Sequence, residues 1–398
     1  ALDATTTSSN NTAIGYQAMT DANGAVDTVA VGSEALANVT TGDYNVGVGF
    51  QALKTITTSG NCVAVGYQAL ENNTAGNNTA VGSNALQSNT TGDQACAFGK
   101  DALLNNTTGQ INNAFGHNAL HDNTTGQANT AIGRNVCYKN VDGDFNTAVG
   151  YDALFYNVSG DGNVSIGHES LYNCTGSLNE AVGKRSLLSC TTGGHNAAMG
   201  YDSLVSVTTG SRNIGISGFA GGSITTGDDN ICLGYDSGKS NSPSGNITTG
   251  SDNIVLGNNN HQNLYCADTS ISSSDARDKT DVADFTKGLN WIKALRPVTY
   301  RWDRRTWYGT DEDPYGTPDG SKKRAKLHLG FLAQEALEVE KSNGYGHNND
   351  DSLILNLTDD GMSYGMKYER LVPVLVNAIK ELSAENTALK SRLDAAGL

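Results

Sequence analysis

Ser274 and Lys279 stand five residues apart in Ser274-Asp-Ala-Arg-Asp-Lys279, and a serine with a lysine is enough for one kind of chemistry. The hydroxyl attacks a carbonyl while a neutral amine takes its proton. A lysine with the ordinary pKa of about 10.4 is charged at neutral pH, so such a base works only where burial disfavours the ammonium form. The spacing matches neither the i,i+3 nor the i,i+4 neighbours of a helix, which puts a working pair on a turn. In the bland alternative, Ser274 and Asp275 cap the start of a helix and Lys279 is solvated. Spacing alone does not separate the two. The seven cysteines form no Cys-x-x-Cys pair and no Cys/His cluster, so no zinc site, other metal or cofactor is expected. No pair of carboxylates recurs in a fixed setting, as glycoside cleavage would need, and the paired Gly/Asp nonapeptide of calcium-binding repeats is absent.

The elements that would carry this pair divide sharply near residue 267. Residues 1–266 hold 8 Lys+Arg against 20 Asp+Glu and all seven cysteines, while residues 267–398 hold 18 against 21 and all three tryptophans. The acidic first part excludes nucleic acid as a partner, since phosphates would repel it. No apolar run approaches the ~20 residues that span a bilayer, so no membrane insertion is expected. There is no signal peptide, and because the chain opens at Ala1 already in the style of its repeats, that absence says little about secretion.

That first part is periodic. Asn-x-Ala-x-Gly recurs from Gly15 to Gly200 in steps of 17 residues, twice shortened to 16. Ser217 keeps the beat, and Gly234 and, after one longer step, Gly257 follow, which makes about fifteen copies. A large apolar residue precedes each Gly (Ile14, Val31, Val48, Phe98, Phe115), a small one stands before that (Ala13, Ala30, Ala64), and Leu or Met follows four residues on (Met19, Leu36, Leu53, Leu70). Period-2 alternation in short pieces between Asn/Thr/Gly turns predicts two short strands and two turns per copy. One copy cannot bury its apolar residues, but stacked copies can, in a parallel β-solenoid roughly 70 Å long at strand spacing. The large apolar ladder is expected inside. The Ala/Gly face is expected outside, where small residues would let identical rods approach. The Thr pairs (Thr40/Thr41, Thr90/Thr91, Thr107/Thr108, Thr208/Thr209) invite comparison with a flat ice-binding array, but turn chemistry explains them better. Cys174 and Cys190 occupy equivalent positions and could touch on adjacent coils, but free, half-buried thiols are the expectation. The repeats resemble the β-roll of YadA-type trimeric adhesin heads over residues ~10–257, with a longer coil.

After residue 266 the sequence is mixed. Residues 288–303 predict a short helix and then a strand beyond Pro297. His328 to Glu335 predicts a strand running into a helix, and residues 345–365 a loop and strand. The last helix carries a heptad seam: Val372, Ile379, Asn386 and Leu393 at one core position, Leu375, Leu382 and Leu389 at the other. That spacing predicts a coiled coil over about 370–395, with Asn386 fixing register.

Four segments carry a resemblance: Ser274 to Lys279, Leu295-Arg-Pro-Val-Thr-Tyr-Arg-Trp302, Gly330-Phe-Leu-Ala-Gln-Glu335, and Tyr368 to Leu382. In this order they are similar to the endosialidase-type intramolecular chaperone of phage tail spikes and fibres. The resemblance implies a domain that trimerises, nucleates folding of the β-structured stalk before it, and cuts itself off. It implies cleavage between Ser273 and Ser274, with Ser274 as nucleophile, Lys279 as base and His328 in support. The fold expected is therefore mainly β: a solenoid stalk over 1–266, then a small α+β chaperone over 267–398 ending in a coiled coil, as a homotrimer. The function expected is a single-turnover, self-cleaving fibre segment of a phage virion that touches a host-surface glycan or protein. A bacterial trimeric surface adhesin is the alternative in biology.

Overall fold

A computed structural model describes residues 7–261, 277, 279–310, 313, 315–357 and 362–397. The chain divides into two compact units, Ala1–Ser242 with Ile247–Asn258, and Asn259–Leu398 with Pro243–Asn246.

The first unit is a parallel β-solenoid. Fifteen three-residue strands, β1 (Thr12–Ile14) to β15 (Ile254–Leu256), form one sheet in strict sequence order. Each strand lies in register on the next, so that Ala30, Gly47 and Ala64 stack at their centres. The beat of Gly is steric. Gly49 has φ +142, and a β-carbon on it would lie 2.1 Å from the carbonyl oxygen of Gly66 one coil on. Ser217, with φ 101, is the position where the beat carries a side chain.

Two expectations are corrected here. Each coil has one strand, not two. The segment with the conserved-pattern Leu is a turn, where alternate residues such as Glu34 (φ 60) and Leu36 (φ 52) adopt left-handed backbone. Those left-handed residues bend the chain round within 17 residues while still donating to the next coil, as in Leu36 N–H to Ala52 O at 2.9 Å. The faces of the strand are also reversed. The central Ala is fully buried, whereas the large residue after it points out: Ile14 is 60% and Met199 56% exposed, and Phe98, Phe115 and Ile132 are exposed as well. The reason is space. The buried Leu of the turn fills the narrow coil, and a β-carbon on Gly47 would already lie 3.2 Å from the Leu36 side chain. Only a small residue fits inside the strand.

The interior also holds asparagines, which sequence reasoning reads only as turn residues. The motif Asn bridges coils twice: Asn129 Oδ1 accepts from Asn146 N–H at 2.9 Å, while Asn146 Nδ2 donates to Gly160 O at 2.8 Å. A second buried column runs Asn73, Asn89, Asn106, Asn123, Asn140 and Asn157, each Nδ2 from Asn89 onward donating to the Oδ1 of the residue before it at 2.6–2.8 Å. Val39 and Ile56 hold the same position before this column, and Cys174, Cys190, Val207 and Ile224 hold it afterwards, all buried. Cys174 and Cys190 do touch, Sγ to Sγ 3.2 Å. Both are free thiols, and buried where half-burial was expected; burial likewise pushes the Cys137 thiol up to about 12. The first Thr of each pair bonds to the next coil and not within its own turn, as in Thr90 Oγ1 donating to Thr107 O at 2.8 Å.

Among its described residues the second unit has three α-helices and two small antiparallel strand pairs. Helix α1 (Leu289–Ala294) leads to β16 (Val298–Tyr300), which pairs with β17 (His328–Gly330). Helix α2 (Ala333–Ser342) follows, then β18 (Leu355–Leu357) paired with β19 (Tyr364–Met366), then α3 (Leu371–Ala395). Trp291, Leu295, Ala336, Ile354, Leu355, Leu371 and Val374 form its core. The buried Glu340 ties α2 to the start of β18, accepting from Ser352 Oγ at 2.8 Å, Leu353 N–H at 3.0 Å and Ile354 N–H at 2.5 Å.

Candidate functional site

Helix α3 shows two apolar faces with different fates. Leu371, Val374 and Ala378 are buried against their own unit. Two side chains of α3 then hold the chain before α1 and the start of α1 itself: Asn377 Nδ2 donates to Phe285 O and to Lys287 O, and Glu381 Oε2 accepts Leu289 N–H at 2.7 Å. The heptad seam faces elsewhere. Val372 is 57% and Ile379 67% exposed, and Leu375, Leu382, Leu389 and Leu393 are exposed too. From Leu382 onward every described residue of α3, Asn386 included, is exposed. A helix end with solvent on all sides and a row of leucines along it is stable only against other helices.

Lys279 is exposed, which is not the environment a neutral amine needs. Ser273 and Ser274 lie outside the described residues, so no dyad geometry follows. His328 sits on β17, stacked on Tyr300 at 5.5 Å between ring centroids and edge-on to Trp302. It lines a cleft of about 130 Å³ with Trp302, Arg304, Trp307, Arg324 and Lys326. Arg304 lies over the Trp302 ring at 4.1 Å and Arg324 over Trp307 at 4.8 Å. Burial, helped by the charge of Arg324, lowers the pKa of Arg304 from the usual arginine value. Sequence reasoning missed this cleft. Its trace was the run Trp302-Asp-Arg304-Arg-Thr-Trp307 and the alternation Arg324-x-Lys326-x-His328 some twenty residues away.

Among the described residues, no group of His, Cys, Asp and Glu is arranged to hold a metal ion, and no helix is long and apolar enough to cross a membrane. Comparison with curated proteins and with solved structures found no match. One family model does match, and its match begins at Ser274, takes in Lys279, α1, the β16–β17 pair and α2, and ends at Tyr345. Residues 274–345 are similar to the family described as the chaperone of endosialidase, Peptidase S74.

Proposed function

We propose that this chain is a homotrimeric segment of a phage tail fibre, borne on the virion, whose C-terminal unit assembles the stalk and then cuts itself away between Ser273 and Ser274. The exposed heptad seam of α3 carries the assembly half of this reading, because those leucines have no cover within the chain. The outward Val/Ile/Phe/Met ladder of the stalk supports it, since an apolar stripe along fifteen coils also calls for a partner. Self-cleavage is supported by a family match that begins at the residue after the inferred scissile bond.

In the reaction, Ser274 Oγ bonds to the carbonyl carbon of Ser273 as the C–N bond breaks. Lys279 takes the hydroxyl proton and passes it to the departing amine of Ser274, and water then hydrolyses the ester. The products are a stalk ending in a carboxylate and a released 274–398 fragment. An exposed Lys279 is a poor base, so assembly must first cover it, which orders the events as folding, trimerisation, then cleavage. The released stalk would keep its structure by a kinetic barrier and not by added equilibrium stability. At its working end the fibre meets a host-surface glycan or protein.

Mass spectrometry of freshly expressed protein tests this. Wild type should split at 273/274, whereas Ser274→Ala and Lys279→Ala should stay full-length and trimeric. Intact wild type after complete folding, or cleavage in either variant, would overturn the dyad. A monomeric mass by light scattering for both variants would overturn the assembly.

A further inference from the structure

The second unit gathers cations that neither assembly nor the proposed dyad uses. Trp302, Arg304 and Trp307 follow β16, and Arg324, Lys326 and His328 run into β17. The pairing of Tyr300 with His328 brings the two runs side by side. The cleft between them has no Asp or Glu in its lining among the described residues. Two arginines and a lysine facing one small cavity repel one another unless a counter-charge enters it.

The hydrogen-bonding state of Arg304 says what that counter-charge is. Stacking on Trp302 covers the face of the guanidinium and leaves its planar edges to bind. Nη1 donates to Asn259 Oδ1. Nε is buried without an acceptor, and so is the indole Nε1 of Trp307. Buried donors are ordinarily satisfied. Twice elsewhere in this chain the Nε/Nη2 edge of an arginine takes a carboxylate with both donors: Arg212 with Asp229, at 2.7 Å and 2.7 Å, and Arg296 with Glu335. A packing role alone for these stacked pairs explains the ring contacts but neither the uncompensated charge nor the orphaned donors.

We propose that this cleft is a carboxylate-binding site in which the Nε/Nη2 edge of Arg304 and Trp307 Nε1 hold the two oxygens and Arg324 and Lys326 balance the charge. The carboxylate comes either from a free small acid or from an acidic side chain of a second copy of the chain.

The test is a titration of the full-length protein, kept uncleaved by Ser274→Ala in every variant (the parent being wild type at the cleft), with sodium acetate, ionic strength held constant with sodium chloride, followed by tryptophan fluorescence. Trp302 and Trp307 report from the cleft, while Trp291 is buried in the core. The proposal expects a saturable change with acetate that chloride does not give. Arg304→Lys keeps the charge and loses the planar edge, so it should weaken acetate binding by about tenfold. An equal acetate response in wild type and Arg304→Lys overturns the proposal. Where wild type gives no response, sedimentation decides. A loss of trimer in Arg304→Lys assigns the carboxylate to a second copy, and unchanged assembly overturns the proposal. Should Arg304→Lys fail to fold by circular dichroism, Trp307→Phe, which deletes the indole donor, keeps an aromatic face under Arg324 and leaves Trp302 as the reporter, takes its place with the same expected outcomes.

Discussion

The asparagine column inside the stalk allows one substitution to be worked through. Asn123 is fully buried. Its Nδ2 donates to Asn106 Oδ1 at 2.7 Å and to Gly126 O at 3.0 Å, and its Oδ1 accepts from Asn140 Nδ2 at 2.7 Å. Valine fits this position, because Val39 and Val207 occupy it, buried, in other coils. Asn123→Val therefore removes hydrogen bonds without overpacking. It takes a donor from two buried acceptors and leaves Asn140 Nδ2 only Gly143 O. Orphaning Asn106 Oδ1 costs of order 1–3 kcal/mol. Gly126 O keeps Asn112 Nδ2 and Asn140 Nδ2 keeps Gly143 O, so those two losses cost about 0.5–1.5 kcal/mol each. Added apolar burial returns about 1 kcal/mol, and the net destabilisation should be about 1–5 kcal/mol.

The decisive feature is non-additivity. In Asn106→Val/Asn123→Val the orphaned Asn106 Oδ1 no longer exists, so the pair should cost at least about 1 kcal/mol less than the sum of the single changes. Guanidinium unfolding followed by circular dichroism gives the midpoints, and unfolding rates serve where the transition is irreversible. A single change within about 0.5 kcal/mol of wild type, or strict additivity in the double, would show that the column contributes no polar network and that the reasoning is wrong.

Ile379→Asp places a charge in the exposed seam of α3, where it should abolish the trimer by light scattering and leave the single unit folded. Asn386→Ile removes the one polar residue of the seam and should keep the trimer while loosening its register, seen as a second oligomeric species. Glu340→Ala strips the acceptor from Leu353 N–H, Ile354 N–H and Ser352 Oγ, and should cost the second unit about 3–5 kcal/mol in denaturant unfolding. In the stalk, Arg212 holds Asp229 below the usual carboxylate range, and at Asp122 the hydrogen bonds from Lys139 and His121 outweigh a burial that acts to raise it. Carboxylates depressed in the folded state stabilise above their unfolded pKa and lose that contribution as pH falls through the folded value. The stalk's Tm should thus hold from neutral pH to about 5 and drop below about pH 4.

The solenoid was legible because its signal is steric and repeats: a β-carbon at Gly49 would meet the next coil's carbonyl, and Gly recurs at its equivalents, Ser217 excepted. Alternation along the strand announced two faces but not which one was inside. That sign was set by Leu36 and its equivalents, which arrive from the turn and leave room only for Ala or Gly at the strand centre. The asparagines misled for a related reason. A single Asn prefers a turn, and it becomes affordable in a core only when an identical residue stands one coil away to pair with it. The heptad seam was legible because its period is local, whereas the basic cleft depends on β16 meeting β17 across nearly thirty residues of chain.

A stalk of near-identical coils cannot choose its own alignment with neighbouring chains. Sliding one chain past another by a whole coil brings Phe115 to where Phe98 stood and Val48 to where Val31 stood, and buries the same outward stripe. Register between rods is therefore almost degenerate in the part of the molecule with the largest surface to bury. The seam of α3 is not degenerate in this way, because one polar residue, Asn386, interrupts a run of apolar ones and matches only itself. Since Asn377 and Glu381 fasten that helix to the residues before α1 and to α1 itself, aligning three helices in the proposed trimer would align three whole C-terminal units. In the proposed trimer, register set by the seam would spare the stalks that choice, which gives a physical reason for a repetitive fibre to carry an assembly module.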